Sequence, residues 1–204
     1  MSSIEPNRPP APVFWGEIAP SDHIAHFYDD EQSFLVTLSG FIAEGLAKGE
    51  GTIVIATPDH LSALEKSLLE SGIDLATAIA EDRYIPMDAE TTIARFMRNK
   101  WPDDHLFANL VGELIARASK NGRSVRAFGE MVALLWARGL NGSTVRLEHL
   151  WNTFCRNYGF SLLCSYPKAG FTKDRRQSIA EICTHHSRHL GDDRTAEQPV
   201  RKLA

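Results

Sequence analysis

Two short runs, TIVIAT at 52–57 and SLLCSY at 161–166, are almost unbroken in apolar residues. A strand with one wet face alternates apolar and polar residues, so runs of this kind belong to strands covered on both faces by helices. Segments 23–28, 83–88 and 124–128 read as three more strands. Between the first two strands, Phe34, Leu35, Leu38, Phe41, Ile42 and Leu46 recur at the spacing of one buried helix face over about 31–48, and Gly49 ends that helix. Pro58 suits the first turn of a second helix that runs to Gly72, with Leu61, Leu64, Leu68 and Leu69 inward. Further helices fit 91–99, 104–120, a segment marked by Leu147, Leu150, Trp151 and Phe154, and 178–190. This alternation predicts an α/β fold, a three-layer α/β/α sandwich around a mostly parallel central sheet.

Composition narrows what such a fold does. The chain has 204 residues, 43% hydrophobic and 24% charged, which fits one folded domain and excludes wholesale disorder. A net charge of -4 gives no general field for nucleic acid or anionic lipid. The three cysteines, Cys155, Cys164 and Cys183, form no CxxC pair, which suits a reducing cytoplasm. With no signal peptide and no membrane-length apolar run in the sequence, a soluble cytoplasmic protein is expected. Residues 1–20 are proline-rich and read as a flexible leader, 21–190 as the folded domain and 191–204 as a disordered tail.

Ligands of such sheets bind beyond the carboxyl ends of the strands. Those positions here are acidic and aromatic: Tyr28, Asp29, Asp30 and Glu31, then Thr57, Pro58 and Asp59, then Asp88 and Glu90, then Gly129 and Glu130, then Tyr166. No G-x-x-x-x-G-K-[ST] motif occurs, and Asp29, Asp30 and Glu31 fill the first strand–helix turn, where they repel phosphate. Within HIAHFYDD, His23, His26 and Tyr28 can hydrogen-bond, ligate metal or stack on a flat ligand. In a strand, His26 and Tyr28 share a face, and His23 points the other way unless it lies just before the strand. Glu130 follows an apolar strand and can pair with His26, bind a ligand donor or help hold a metal. Backbone-bonded histidines, a tyrosine filling a strand end and a helix-capping carboxylate explain the same residues. Trp136 and Trp151 read as core aromatics. Cys183, His186 and His189 recur every third residue, so Cys183 and His186 can reach one metal. The remaining ligands have no sequence candidate, a half-exposed polar helix face explains the spacing, and no metal site is assigned. Basic residues at 173–176 are interrupted by acid and read as solvated surface. No nucleophile elbow, cofactor fingerprint or DNA-recognition module is present in the sequence.

The segment from HIAHFYDDEQ through IVIATPDH, then FGEMVALLW at 128–136, LEHLWN at 147–152, FSLLCSYP at 160–167 and EICTHHSRHL at 181–190, resembles the MEDS sensory domain of bacterial signalling proteins. The likeness covers about residues 21–190. It implies a RecA/KaiC-like fold with a degenerate phosphate loop. The acidic turn at 29–31 then stands where that loop would be, and Glu130 near a metal-directing acid of the ATPases. It also implies a pocket turned to a small organic or hydrocarbon-derived ligand, with His23, His26, Tyr28 and Glu130 on the pocket side. With no room for an output domain, the chain is expected to signal through a separate partner, such as a histidine kinase or transcription regulator.

The leading expectation is therefore a non-enzymatic sensor without cofactor, with homo-oligomers open. One alternative is a purely protein-binding regulator with a vestigial pocket. Another is a metal-dependent or acid/base enzyme using His23, His26 and Glu130.

Overall fold

The computed structural model describes residues 15–170, 180 and 182–191. Among these residues, six strands form one sheet in the order β3-β2-β6-β7-β1-β8, and every neighbouring pair is parallel. They are β1 (His23–Tyr28), β2 (Gly51–Ala56), β3 (Tyr84–Asp88), β6 (Val125–Gly129), β7 (Ser161–Pro167) and β8 (Arg188–Leu190). A two-residue hairpin, β4 (Met97–Arg98) with β5 (Trp101–Pro102), stands apart. The helices are α1 (Glu31–Ala47), α2 (Pro58–Glu70), α3 (Leu75–Ala80), α4 (Ala89–Phe96), α5 (Asp104–Ala118), α6 (Met131–Ala137) and α7 (Asn141–Tyr158).

The sheet divides the core in two, giving the expected three layers. On one face, Ile24, Tyr28, Val54, Phe128 and Leu163 pack against Phe34, Leu38 and Phe41 of α1 and Leu64 and Leu68 of α2. On the other, Phe27, Ile53, Ile55, Leu162 and Tyr166 meet Phe107 and Leu110 of α5 and Leu147 and Trp151 of α7. Each central strand is thus covered twice, which is why β2 and β7 need continuous apolar sequence. The chain enters β2 tightly against α5. A Cβ on Gly51 would stand 2.2 Å from the carbonyl oxygen of Ala118, so no larger residue fits there.

Several local expectations are corrected. Leu69 is 58% exposed, because the α2 stripe that faces the sheet is the i, i+4 pair Leu64 and Leu68. The helix expected over 91–99 stops at Phe96, where the chain turns into the hairpin; Asn99 and Lys100 adopt positive φ, which a helix does not allow. Helix α3 was not expected. The helix expected over 178–190 is a short helical segment ending at Thr184, followed by β8, with Ser178, Ile179 and Glu181 outside the described residues. The edge of β1 explains this change. Its Ile24, Ala25 and His26 pair with Arg188, His189 and Leu190, and Ser187 donates its amide to the His23 carbonyl at 2.7 Å. A strand edge left open would leave those groups unpaired. Within the expected leader, Trp15 is buried and packs edge-on against Phe41 at 5.3 Å.

Candidate functional site

At the carboxyl ends of β1, β2 and β6, polar groups converge over an aromatic floor. Asp30 caps α1 by accepting from the Ser33 amide at 2.7 Å, so a carboxylate of the chain itself occupies this helix N-terminus. Lys168, just beyond β7, pairs with Asp29 at 2.7 Å. Sequence inspection of the rim found no cation because Lys168 lies one residue past the strand end.

Glu130 follows β6 and is 6% exposed. One carboxylate oxygen accepts from the Thr57 amide at 2.8 Å, and the other from His60 Nδ1 at 2.9 Å. The opposite ring nitrogen of His60 lies 2.9 Å from Glu31 Oε2. An imidazole with a carboxylate at each nitrogen satisfies both only as the doubly protonated cation. The hydrogen bond to Glu130 accordingly raises the His60 pKa above its ordinary 6.5, against the opposing effect of burial. Tyr28 packs on Phe34 at 4.9 Å, Phe34 on His60 at 4.6 Å, and His26 lies 5.8 Å from Tyr28. His26 Nδ1 is 3.3 Å from Ser165 Oγ; burial, helped by the Lys168 charge, pushes its pKa down to about 4 and keeps it neutral. Burial also raises the Tyr28 phenol, which stays protonated.

The structure brings His26, Tyr28 and Glu130 to this rim and places His23 on the opposite face of the sheet. His60 was not singled out from sequence. Its signal was the position itself, the first turn of a helix opening directly from a strand end.

His23 belongs to a second, fully enclosed cluster with Glu148 of α7, Cys164 of β7 and His186. Its Nε2 lies 3.2 Å from Glu148 Oε2 and 3.4 Å from Cys164 Sγ. His186 Nε2 is 3.5 Å from Glu148 Oε1, and Tyr166 donates its hydroxyl to Glu148. Burial pushes His23 down to about 4. Burial opposes ionisation of Glu148, but the facing imidazoles of His186 and His23 outweigh it and hold the carboxyl below its usual range. Ligand atoms of His23, Glu148, Cys164 and His186 all lie within 4.8 Å of one another. Sequence reading missed Glu148, although Thr144, Glu148, Trp151 and Cys155 form one stripe of α7 and all are buried. A carboxylate inside an apolar helical stripe was the available signal. Cys183 is buried, and its backbone carbonyl oxygen lies 3.1 Å from His189 Nε2.

A family model described as MEthanogen/methylotroph, DcmR Sensory domain (MEDS) matches residues 22–187. The chain belongs to the MEDS family. This membership supports a sensory or signalling role. No curated protein matches significantly. Among solved structures, the MEDS chain is similar to an uncharacterised protein, PH0321, from Pyrococcus horikoshii, crystallised in complex with an unknown peptide. The two share 12% identity over 85% of this chain and 78% of that one, with a TM-score of 0.62, a likeness of fold. Among the described residues, no helix is long and apolar enough to cross a membrane.

The His60 bridge makes a pH-dependent contribution to stability. Its folded pKa lies above the unfolded value of 6.5, so the contribution is complete below that value and fades as pH rises through the folded pKa. Urea unfolding of wild type and His60→Gln should differ most below the unfolded value of 6.5 and converge as pH rises through the folded pKa. A difference that grows with pH contradicts the bridge.

Proposed function

We propose that this MEDS protein is a cytoplasmic, non-enzymatic sensor. It takes a small organic ligand at the rim formed by His26, Tyr28, His60 and Glu130 and passes the bound state to a separate signalling partner. The observation that carries this reading is the rim's chemistry. A buried carboxylate, a neutral imidazole and a protonated phenol converge beside Phe34 and Phe128. Asp30 already caps the adjoining helix. Such a site favours a compact molecule with an apolar body and one hydrogen-bonding group, and disfavours polyanions. Binding that engages Glu130 competes with the His60 bridge between α1, α2 and the end of β6, so the ligand has differential contacts with which to shift a two-state equilibrium.

Thermal-shift screening with short alcohols, amines, amides and halogenated hydrocarbons tests the site. A compound that stabilises wild type should lose its effect in Tyr28→Ala and Glu130→Ala. Equal responses in all three proteins overturn the assignment. The partner is expected to be a histidine kinase or transcription regulator. The Pyrococcus protein is in complex with an unknown peptide, so peptides belong in the partner screen as well.

A further inference from the structure

The buried cluster on the far face of the sheet carries chemistry that the rim does not use. His23 Nδ1 lies 2.9 Å from the His185 carbonyl oxygen, and His186 Nδ1 lies 2.7 Å from the Ile182 carbonyl oxygen. A carbonyl only accepts, so each Nδ1 carries a hydrogen and the neutral ring has its lone pair on Nε2. Both Nε2 atoms point at Glu148. Among the described residues, His186 Nε2 finds no hydrogen-bond partner, although its side chain is fully enclosed. Two inward lone pairs and the Glu148 carboxylate repel one another unless something positive, a proton or a metal ion, sits among them.

A divalent metal removes the conflict. Imidazole, carboxylate and thiolate are each donors that zinc takes in tetrahedral sites, and two imidazoles, one carboxylate and one thiolate sum with the ion to zero charge. Bonds of about 2.0–2.3 Å place tetrahedral ligand atoms about 3.3–3.8 Å apart. Here His23 Nε2 to Glu148 Oε2 is 3.2 Å, His23 Nε2 to Cys164 Sγ is 3.4 Å, Cys164 Sγ to Glu148 Oε2 is 3.8 Å and His186 Nε2 to the other carboxylate oxygen, Oε1, is 3.5 Å, with ligand atoms of all four residues within 4.8 Å of one another. The outer groups match as well. Metal-ligating histidines characteristically donate their other nitrogen to a carbonyl, as both do here, and Tyr166 orients the carboxylate by donating to it.

We propose that His23, Glu148, Cys164 and His186 form a closed zinc site that pins the chain around His186, and with it strand β8, to the sheet. The four ligands come from the start of β1, the middle of α7, the middle of β7 and the turn before β8. The ion therefore ties together segments far apart in sequence, and all four donors are buried, as befits a structural site. This proposal is independent of ligand binding at the rim, which lies on the other side of the sheet.

The test uses untagged wild-type protein purified from zinc-supplemented cells. Elemental analysis should find stoichiometric zinc. Cys164→Ser and His186→Gln should bring it to background, and His60→Gln should leave it unchanged. Cobalt exchanged into wild type should give thiolate-to-cobalt charge-transfer absorption that survives Cys155→Ser and Cys183→Ser. That cobalt reading on wild type stands even where a ligand variant does not fold. Folded wild type that takes up neither zinc nor cobalt, or a charge-transfer band that persists in Cys164→Ser, overturns the proposal.

Discussion

Replacing Glu148 with alanine is expected to cost the folded state about 3–5 kcal/mol, the range seen when one member of a buried ionic network is removed. Glu148 is 1% exposed and faces His23, His186 and Tyr166. Its loss removes an acceptor from the Tyr166 hydroxyl in an enclosed space and takes away the carboxylate that the two imidazoles face. Glu148→Gln should cost less, since the amide oxygen still accepts from Tyr166 and the amide nitrogen can donate to an inward Nε2. Urea unfolding of the three proteins measures both effects. A loss below about 1 kcal/mol for Glu148→Ala would show that the cluster does not hold the sheet to α7.

The second large effect lies on the other face. Arg126 projects from β6 into the layer below α1 and is 3% exposed. It pairs with Glu50 through two nitrogens, one of them 3.2 Å from Glu50 Oε1, donates to the Phe41 carbonyl at 3.3 Å and lies over the Phe41 ring at 5.4 Å. Gly45 makes the room: a Cβ there would stand 2.9 Å from Arg126 Cδ. Removing the partner leaves a guanidinium enclosed without its counter-charge, so Glu50→Ala should destabilise by about 3 kcal/mol. Combining Glu50→Ala with Arg126→Met removes both charges. The double variant should therefore be more stable than additivity of the two single changes predicts. Strict additivity in a double-mutant cycle contradicts the coupling.

How much of this was legible in sequence follows from which forces act locally. Strands β2 and β7 announced themselves because burial on both faces leaves a continuous apolar trace. Helix α1 did so because Phe34, Leu38, Phe41 and Leu46 repeat at helical spacing. The acidic turn was legible too, since Asp30 caps its own helix within three residues. Strand β8 was not, because the sequence RHL has no strand pattern and pairs only because β1 offers an open edge. Arg126 and Glu50 meet across 76 positions, and His23 and Glu148 across 125, separations at which spacing carries no information. The rim was half legible. His26, Tyr28 and Glu130 could be placed by strand ends, whereas His60 needed the direction in which α2 leaves β2.

Imidazole NMR resonances of the wild-type protein, followed while the most stabilising compound of the screen is added, test the central claim most directly. Sensing at the rim predicts saturable shifts at His26 and His60, unaffected by excess magnesium-ATP, with His23 and His186 unmoved across the sheet. Shifts confined to His23 and His186, or displacement of the compound by magnesium-ATP, would contradict it.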